Sequence, residues 1–401
     1  MKIVEYSLKH RDIKTAVLSI DADTGHLISA DIINKKYCPL GINNGKALSS
    51  WWDRRAVPAD QIGCEVFLKG DTPLEFMVKN MGLSLIDCYW VQPMNVPELK
   101  WKDVNLYENS LSVEDFIYSD KENLSPFKPS ATTQGELKKR WIRKEDGTYL
   151  IKGNYDASCR QSINEVVASL VHEYQERPHV HYELVDLKMM DGDTGIGCIS
   201  KNFTNPKLEF IPAYDVTFAS KKAGDESEYA HFLKYCIEHG CDKEETISYA
   251  DYIILSDFLL SNSDRHLLNL GVLRNTNTME LVSLNPLFDT GNSMFFRDNY
   301  VPSQILERRV NSWGGNPKET KLLEYVHNFN NINLSKLPEW KELAELYKKD
   351  AYSQIYLPNV EQGYKKKIEL LWALQNGYSL NERSKNFYKN TFGPAKDIRK
   401  L

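Results

Sequence analysis

Two carboxylates and a carboxamide stand close together in YIILSDFLLSNSDRHLLNLGVLRNTNTMELVSLNPLFDTGNS, residues 252–293. Asp264 lies five residues before Asn269, and Asp289 follows in Phe288-Asp289-Thr290-Gly291. Such a set can do phosphoryl-transfer chemistry. One carboxylate, Asp264, would orient or deprotonate an attacking hydroxyl. An amide oxygen and a second carboxylate, Asn269 and Asp289, would hold the magnesium ions that bridge the phosphates. His266 would support the loop or help stabilise transferred charge, and Arg265 would brace it.

The surrounding residues read as elements able to position this set. The apolar run Tyr252–Leu260 predicts a buried helix, broken at Ser261-Asn262-Ser263, residue types that favour turns. Two short apolar runs, Leu270–Leu273 and Leu281–Leu284, flank Asn275-Thr276-Asn277 and predict a β-hairpin. The hairpin delivers Asp289 just after its second strand. The interval from Asp264 to Asn269 equals that from the catalytic-loop Asp to the metal-binding Asn of protein kinases.

A second informative stretch is residues 130–153, SATTQGELKKRWIRKEDGTYLIKG. Lys138–Arg143 and Tyr149–Lys152 alternate as two strands turned by Asp146-Gly147. The preceding loop of small hydroxylated residues, ending in Gly135, could lay its backbone amides against phosphates. Lys152 ends an apolar strand, where a kinase presents an amine to the α- and β-phosphates. Glu165 follows beside the helical stripe Ile163, Val166, Val167, Leu170, Val171 and Tyr174, placed to pair with that lysine.

Elsewhere the pattern predicts a hairpin over 14–34, short helices over 49–58 and 73–81, and a strand over Leu85–Val91. A polar connecting segment over 93–131 carries one short helix near Val113–Tyr118. Residues 181–204 predict another hairpin. From Ile211 the chain turns mostly helical, with helices over Ser227–His239, Glu244–Leu260, Glu319–Asn328, Leu337–Leu346 and Val360–Leu374. Lys385–Lys400 is a basic terminal stretch.

Composition narrows the function classes. The chain has 401 residues, 42% hydrophobic and 26% charged, with net charge −5. Those proportions are ordinary for a soluble globular protein of two or three domains. There is no run long enough for a membrane span, and MKIVEYSLKHRDIKT is too polar for a signal peptide. The acidic balance argues against a self-sufficient nucleic-acid binder. The odd count of seven cysteines fits reduced thiols in a cytoplasmic protein. Cys236, His239 and Cys241 fit no zinc spacing.

The order Asp264-Arg265-His266-x-x-Asn269 looks like the phosphatidylinositol-kinase branch of the kinase fold. The fuller string, Asn262-x-Asp264-x-His266-x-x-Asn269 followed by a strand, Pro286 and Asp289, resembles the HipA-like serine/threonine kinases of bacterial toxin–antitoxin systems more closely. The resemblance implies an α+β, two-lobed kinase fold. Residues 1–125 would be an N-terminal α+β subdomain, 126–205 a β-rich lobe, and 206–401 a mainly helical lobe. It implies a phosphate loop at 130–135 including Gly135, with Ser130, Thr132 and Thr133 as autophosphorylation candidates. Lys152, Glu165, Asn269 and Asp289 would bind ATP and Mg2+. Ile199–Phe203 would be the hinge at the adenine edge, where Lys201-Asn202-Phe203 replaces the family's usual Arg-Phe-Asp-like string. It further implies a protein substrate with a Ser or Thr hydroxyl and a DNA-binding, antitoxin-like partner protein. The residues themselves, without a polybasic membrane surface or a helix-turn-helix, lead us to expect no membrane and no direct nucleic-acid contact. A kinase-fold enzyme acting on a lipid or small molecule, and a nucleotide-binding pseudokinase, are the alternatives.

Overall fold

Strand formation begins earlier than the sequence pattern announces. A computed structural model describes residues 2–42, 44–64, 68–109, 128–188, 194–298, 301 and 305–377. In it Ile3–His10 (β1) pairs antiparallel with Ile13–Asp21 (β2). Leu27–Ile32 (β3) and Tyr89–Pro93 (β4) complete a sheet in the order β3-β2-β1-β4. The second half of β1, Ser7 to His10, is buried throughout, so no in–out alternation marks it as a strand. The helix expected at 49–58 starts earlier, as Gly45–Arg55 (α1), because the Asn44 side chain caps it by accepting from the Ala47 N–H. Pro73–Lys79 (α2) opens on a capping box between Thr72 and Glu75. Trp51, Trp52 and Met77 of these helices pack on Leu8, Leu18 and Ile20 of the sheet. The strand expected at Leu85–Val91 forms late. Asp87 is taken up by Arg55, and the Ile86 carbonyl by the Phe210 N–H, before pairing with β1 begins.

A second antiparallel sheet follows. Lys139–Lys144 (β5) and Gly147–Lys152 (β6) form the expected hairpin, and Tyr182–Lys188 (β7) and Thr194–Lys201 (β8) extend it in the order β5-β6-β8-β7. Arg160–Tyr174 (α3) lies against β7 and β8 and buries Ile163, Val167 and Val171 completely.

Beyond it, Leu208–Pro212 (β9) joins a hairpin that the sequence pattern read as two-stranded. Asp264–Arg265 (β10) makes a short parallel bridge elsewhere, while Gly271–Asn275 (β11) and Leu281–Leu284 (β12) are the expected pair. β9 pairs with β11, and β10 bridges to Asn311–Ser312 (β13). Lys243–Leu260 (α4) is the central helix, buried along most of its length and packed against Leu357–Gln375 (α5). It ends where Ser261 turns left-handed, with φ of 52°. The helix expected over 319–328 is only Glu319–Leu322 plus a 3-10 turn, and that over 337–346 is Trp340–Tyr347. The protein is thus a mixed α+β chain. The expected helix near Val113–Tyr118 and the basic stretch Lys385–Lys400 lie outside the described residues. Among the described residues, no helix is long and apolar enough to cross a membrane.

One buried carboxylate ties the first sheet to the rest. Glu209 of β9 accepts from Arg274 of β11 at 2.7 Å, from His10 of β1 at 3.1 Å, and from the Cys88 N–H at 3.2 Å. Burial would raise the Glu209 pKa, but Arg274 and then His10 outweigh it and hold it at about 2. His10, Cys88 and Glu209 also bring ligand-type atoms within 4.8 Å of one another. The guanidinium on the same carboxylate makes this an ion-pair node, because a metal ion there would face a fixed positive charge. The Glu209 pKa is depressed on folding, so its stabilisation is full above about pH 4.3, the unfolded value, and is lost as pH falls toward about 2. Glu209→Gln should lower unfolding free energy at neutral pH by roughly 3 kcal/mol, because it strands Arg274. It should also flatten the stability-against-pH curve below about pH 4.3. Urea titrations of both proteins across pH 2–7 check this, and parallel acid limbs would refute it.

Candidate active site

A buried lysine holds two distant parts of the chain together. Lys152, the last residue of β6, is 3% exposed, and its Nζ donates to Glu165 Oε1 and to Asp289 Oδ1, each at 2.5 Å. Glu165 comes from the second turn of α3, and its other oxygen accepts from the Thr290 N–H at 2.8 Å. Burial opposes the charge on Lys152, but Asp289 and then Glu165 raise its pKa well above the ordinary lysine value. Burial would likewise raise Asp289, yet Lys152 and then Lys139 hold it far below the ordinary carboxylate range. The site therefore keeps an ammonium and a carboxylate charged across the physiological range. Asp289 sits at φ of 55°, a left-handed conformation that Asp tolerates better than most residues.

Asp264 and Asn269 line the same cavity as Lys152 and Asp289. The Asp264 carboxylate accepts from the Asn292 amide at 2.8 Å and from the Asn311 amide at 3.0 Å. The Asn269 amide donates back to the Asp264 carbonyl at 3.1 Å, which closes the loop between them. His266 Nδ1 accepts from the Leu268 N–H, so the loop holds the ring by that nitrogen. Arg265 is 2% exposed and does the bracing. Its guanidinium donates to both oxygens of Asp257, to the Asn269 and Phe288 carbonyls, and to Thr290 Oγ1. One side chain thereby joins α4, the Asp264–Asn269 loop and the Asp289 turn.

The cavity has a volume of about 340 Å³. Gly135, Lys139, Lys152, Glu165, Asp264, His266, Asn269 and Asp289 all line it. Two carboxylates and one amide oxygen, from Asp264, Asp289 and Asn269, make an all-oxygen donor set in one cavity. That chemistry suits a hard cation such as Mg2+, with Asn269 and Asp289 as the residues that would hold it. The 27% exposure of the Asp289 side chain leaves that carboxylate open to the cavity despite its bond to Lys152.

The loop ahead of β5 is gripped from the amino-terminal part of the chain. Gln61 donates to the Thr133 and Gly135 carbonyls, and the Ile62 N–H donates to the Glu136 carbonyl. The Val57 N–H donates to the Ala131 carbonyl, and Gln134 donates back to the Arg55 and Ala56 carbonyls. Gly135 adopts φ of 95°, and a Cβ there would run into Lys139 Nζ. Of the three hydroxyls, Thr132 is buried on the Leu83 carbonyl. Thr133 is buried between the Pro129 carbonyl and Trp141 Nε1. Ser130 is the more accessible.

The site also contains residues that the sequence pattern did not single out. Lys139 pairs across the hairpin with Lys152, lines the same cavity, and donates to the Gln134 carbonyl at 2.6 Å. Burial pushes its pKa down, with Asp289 pulling the other way. Its signal was a lysine in register with Lys152 across the Asp146-Gly147 turn. Asn292 and Asn311 carried no signal, because nothing local links them to Asp264. Lys201 stands apart. It borders the cavity, but its ammonium pairs with Asp146 at 2.9 Å on an exposed turn. Asn202, beside it, bonds to the Leu85 carbonyl.

No family model matches the chain, and no curated protein matches its sequence. Among solved structures, the Helicobacter pylori proinflammatory kinase CtkA is similar at 16% identity, covering 58% of this chain and 92% of that one, with a TM-score of 0.41. The Shewanella oneidensis MR-1 toxin–antitoxin complex of HipA, HipB and operator DNA is similar at 12% identity, covering 96% and 94%, with a TM-score of 0.48. Replacing Arg265 by Met strands Asp257 and three backbone or hydroxyl acceptors. It should cost roughly 3–5 kcal/mol in unfolding free energy. Chemical denaturation measures it, and a loss below about 1 kcal/mol, the worth of a surface pair, would refute the bracing role.

Proposed function

We propose that the protein is an ATP- and magnesium-dependent kinase that transfers the γ-phosphoryl group to a Ser or Thr hydroxyl of a protein. The observation that carries this is the Lys152 ammonium bonded to both Glu165 and Asp289, in one cavity with Asp264 and Asn269. A strand-end lysine fixed by a helix glutamate is what an ATP-dependent phosphotransferase needs to hold the α- and β-phosphates. The second lysine, Lys139, adds positive charge beside it.

In this reading Asp264 is held by two neutral amides, so its carboxylate is aimed without being neutralised. It accepts the proton of the acceptor hydroxyl as the oxygen–phosphorus bond forms and the bond from the γ-phosphorus to the bridging oxygen breaks. ADP leaves with that oxygen. Magnesium, when bound by Asn269 and Asp289, offsets the charge of the phosphate oxygens. His266 faces the same space and stabilises the transferred charge. Thr132 to Glu136 line the cavity, and in this reading the loop 130–136 is the phosphate cover, with Ser130 the most accessible hydroxyl for autophosphorylation. The motif's resemblance to HipA-like kinases extends the proposal to a cytoplasmic toxin–antitoxin kinase with a DNA-binding protein partner.

Incubation of the purified protein with labelled ATP and magnesium, followed by mass spectrometry of residues 128–140 and of added protein acceptors, tests it. Metal-dependent label is expected, reduced on the order of 10²-fold or more by Asp264→Asn and lost in Asp289→Ala. A near-native rate in Asp264→Asn would refute its role as base. Failure to bind nucleotide at all would refute the whole reading.

A further inference from the structure

A second, larger cavity opens along the seam between the amino-terminal sheet and the rest of the chain, with a volume of about 620 Å³. It adjoins the first. The two share Ser84, Ile86, Thr132, Gln134, Phe210 and Leu268 as walls. Leu268 marks the junction. It lies two residues beyond His266 and immediately before Asn269, yet it is 41% exposed. Its neighbours Leu267 and Leu270 are buried, so Leu268 is the leucine of this loop left open to an apolar group at the junction.

The seam cavity is built to accept apolar atoms. Leu40, Trp51, Leu74, Ile86 and Phe210 form much of its wall. Its charged residues are largely paired with one another. Arg54 bonds to Asp215 at 2.7 Å, Arg55 to Asp87 at 2.5 Å, and Arg274 to Glu209 at 2.7 Å. Ion pairs closed on themselves demand no charge of an occupant. The volume exceeds that of one side chain and lies within the range of sites that enclose a sizeable ligand.

From this geometry we propose that the seam cavity binds the acceptor polypeptide, taking bulky apolar residues that flank the Ser or Thr presented to Asp264. The inference rests on the kinase reading above and adds the recognition of the acceptor. Asp264 and Leu268 line the catalytic cavity together and Leu268 also lines the seam cavity, so the residues flanking a hydroxyl at Asp264 have the seam cavity beside them. Residues 26–87 would then supply much of the specificity wall, while residues 139–290 supply the chemistry.

The test is phosphorylation of a peptide library with one central Ser or Thr and varied flanks, by the full chain with labelled ATP and magnesium. N-acetylserine amide serves as an acceptor without flanks. Wild type should favour Phe, Trp or Leu flanks over Gly or Ser by roughly tenfold or more in kcat/KM. Leu40→Glu and Leu74→Glu, each in the seam wall and outside the catalytic cavity, should lose that preference while binding ATP with unchanged Kd. Leu74→Met should retain it. Indifference to the flanks in wild type, a preference surviving in both Glu variants, or ATP binding without transfer to any peptide would each overturn the inference. Equal phosphorylation of N-acetylserine amide would also overturn it, in favour of a small-molecule acceptor. Absence of ATP binding in wild type would overturn the kinase reading instead.

Discussion

A buried ammonium bonded to two carboxylates is the interaction on which the rest of the site depends. Lys152 takes one carboxylate from α3 and the other from the turn after β12, 137 residues away. Desolvating three charges is expensive, and such a cluster adds little net stability over a packed apolar core. It does fix geometry. Glu165 passes the constraint to Thr290 through a backbone N–H, and Thr290 accepts from Arg265. Arg265 ends on Asp257 inside α4. The second sheet, the Asp289 turn and the central helix are therefore held by one continuous run of polar contacts.

The two sides of the cavity are built by different means. On the Asp264 side, positions are set by side chains, with Asn292, Asn311 and Arg265 each locking a neighbour. Around the loop 130–136, they are set largely by main-chain atoms of residues 55–62, with the Gln61 side chain. The amino-terminal sheet is connected to both. It reaches the core through Glu209, and it forms one wall of the cavity beside Leu268.

Local chemistry was open to reading from the sequence, and long-range pairing was not. The interval between Asp264 and Asn269, the breaking of α4 at Ser261 and the hairpin before Asp289 are all properties of neighbouring residues. Lys152 and Glu165 are thirteen residues apart at the ends of adjoining elements, so their contact could be anticipated too. Asn292, Asn311 and Gln61 act on partners many positions away and carry no pattern of their own. β1 was missed because burial on both faces erases alternation. The third strand, β9, was missed because its sheet partner lies about sixty residues downstream. Arg265 could be taken for a surface residue in the sequence, and only the placement of Asp257, Phe288 and Thr290 around it makes it a buried brace.

The grip on the loop 130–136 has a consequence for how this protein is related to others. The carbonyls of Ala131, Thr133, Gly135 and Glu136 are all held by donors from residues 57–62. A main-chain carbonyl offers the same acceptor whatever side chain its residue bears. Part of the loop's path is thus encoded some seventy positions upstream, and the letters at Ala131 and Glu136 are freer to drift than those at Gln134 and Gly135, whose side chain and missing Cβ the path also uses. Kinship traced through Ala131 or Glu136 would fade quickly, while kinship traced through Gln61, the one upstream donor that acts through its side chain, would persist.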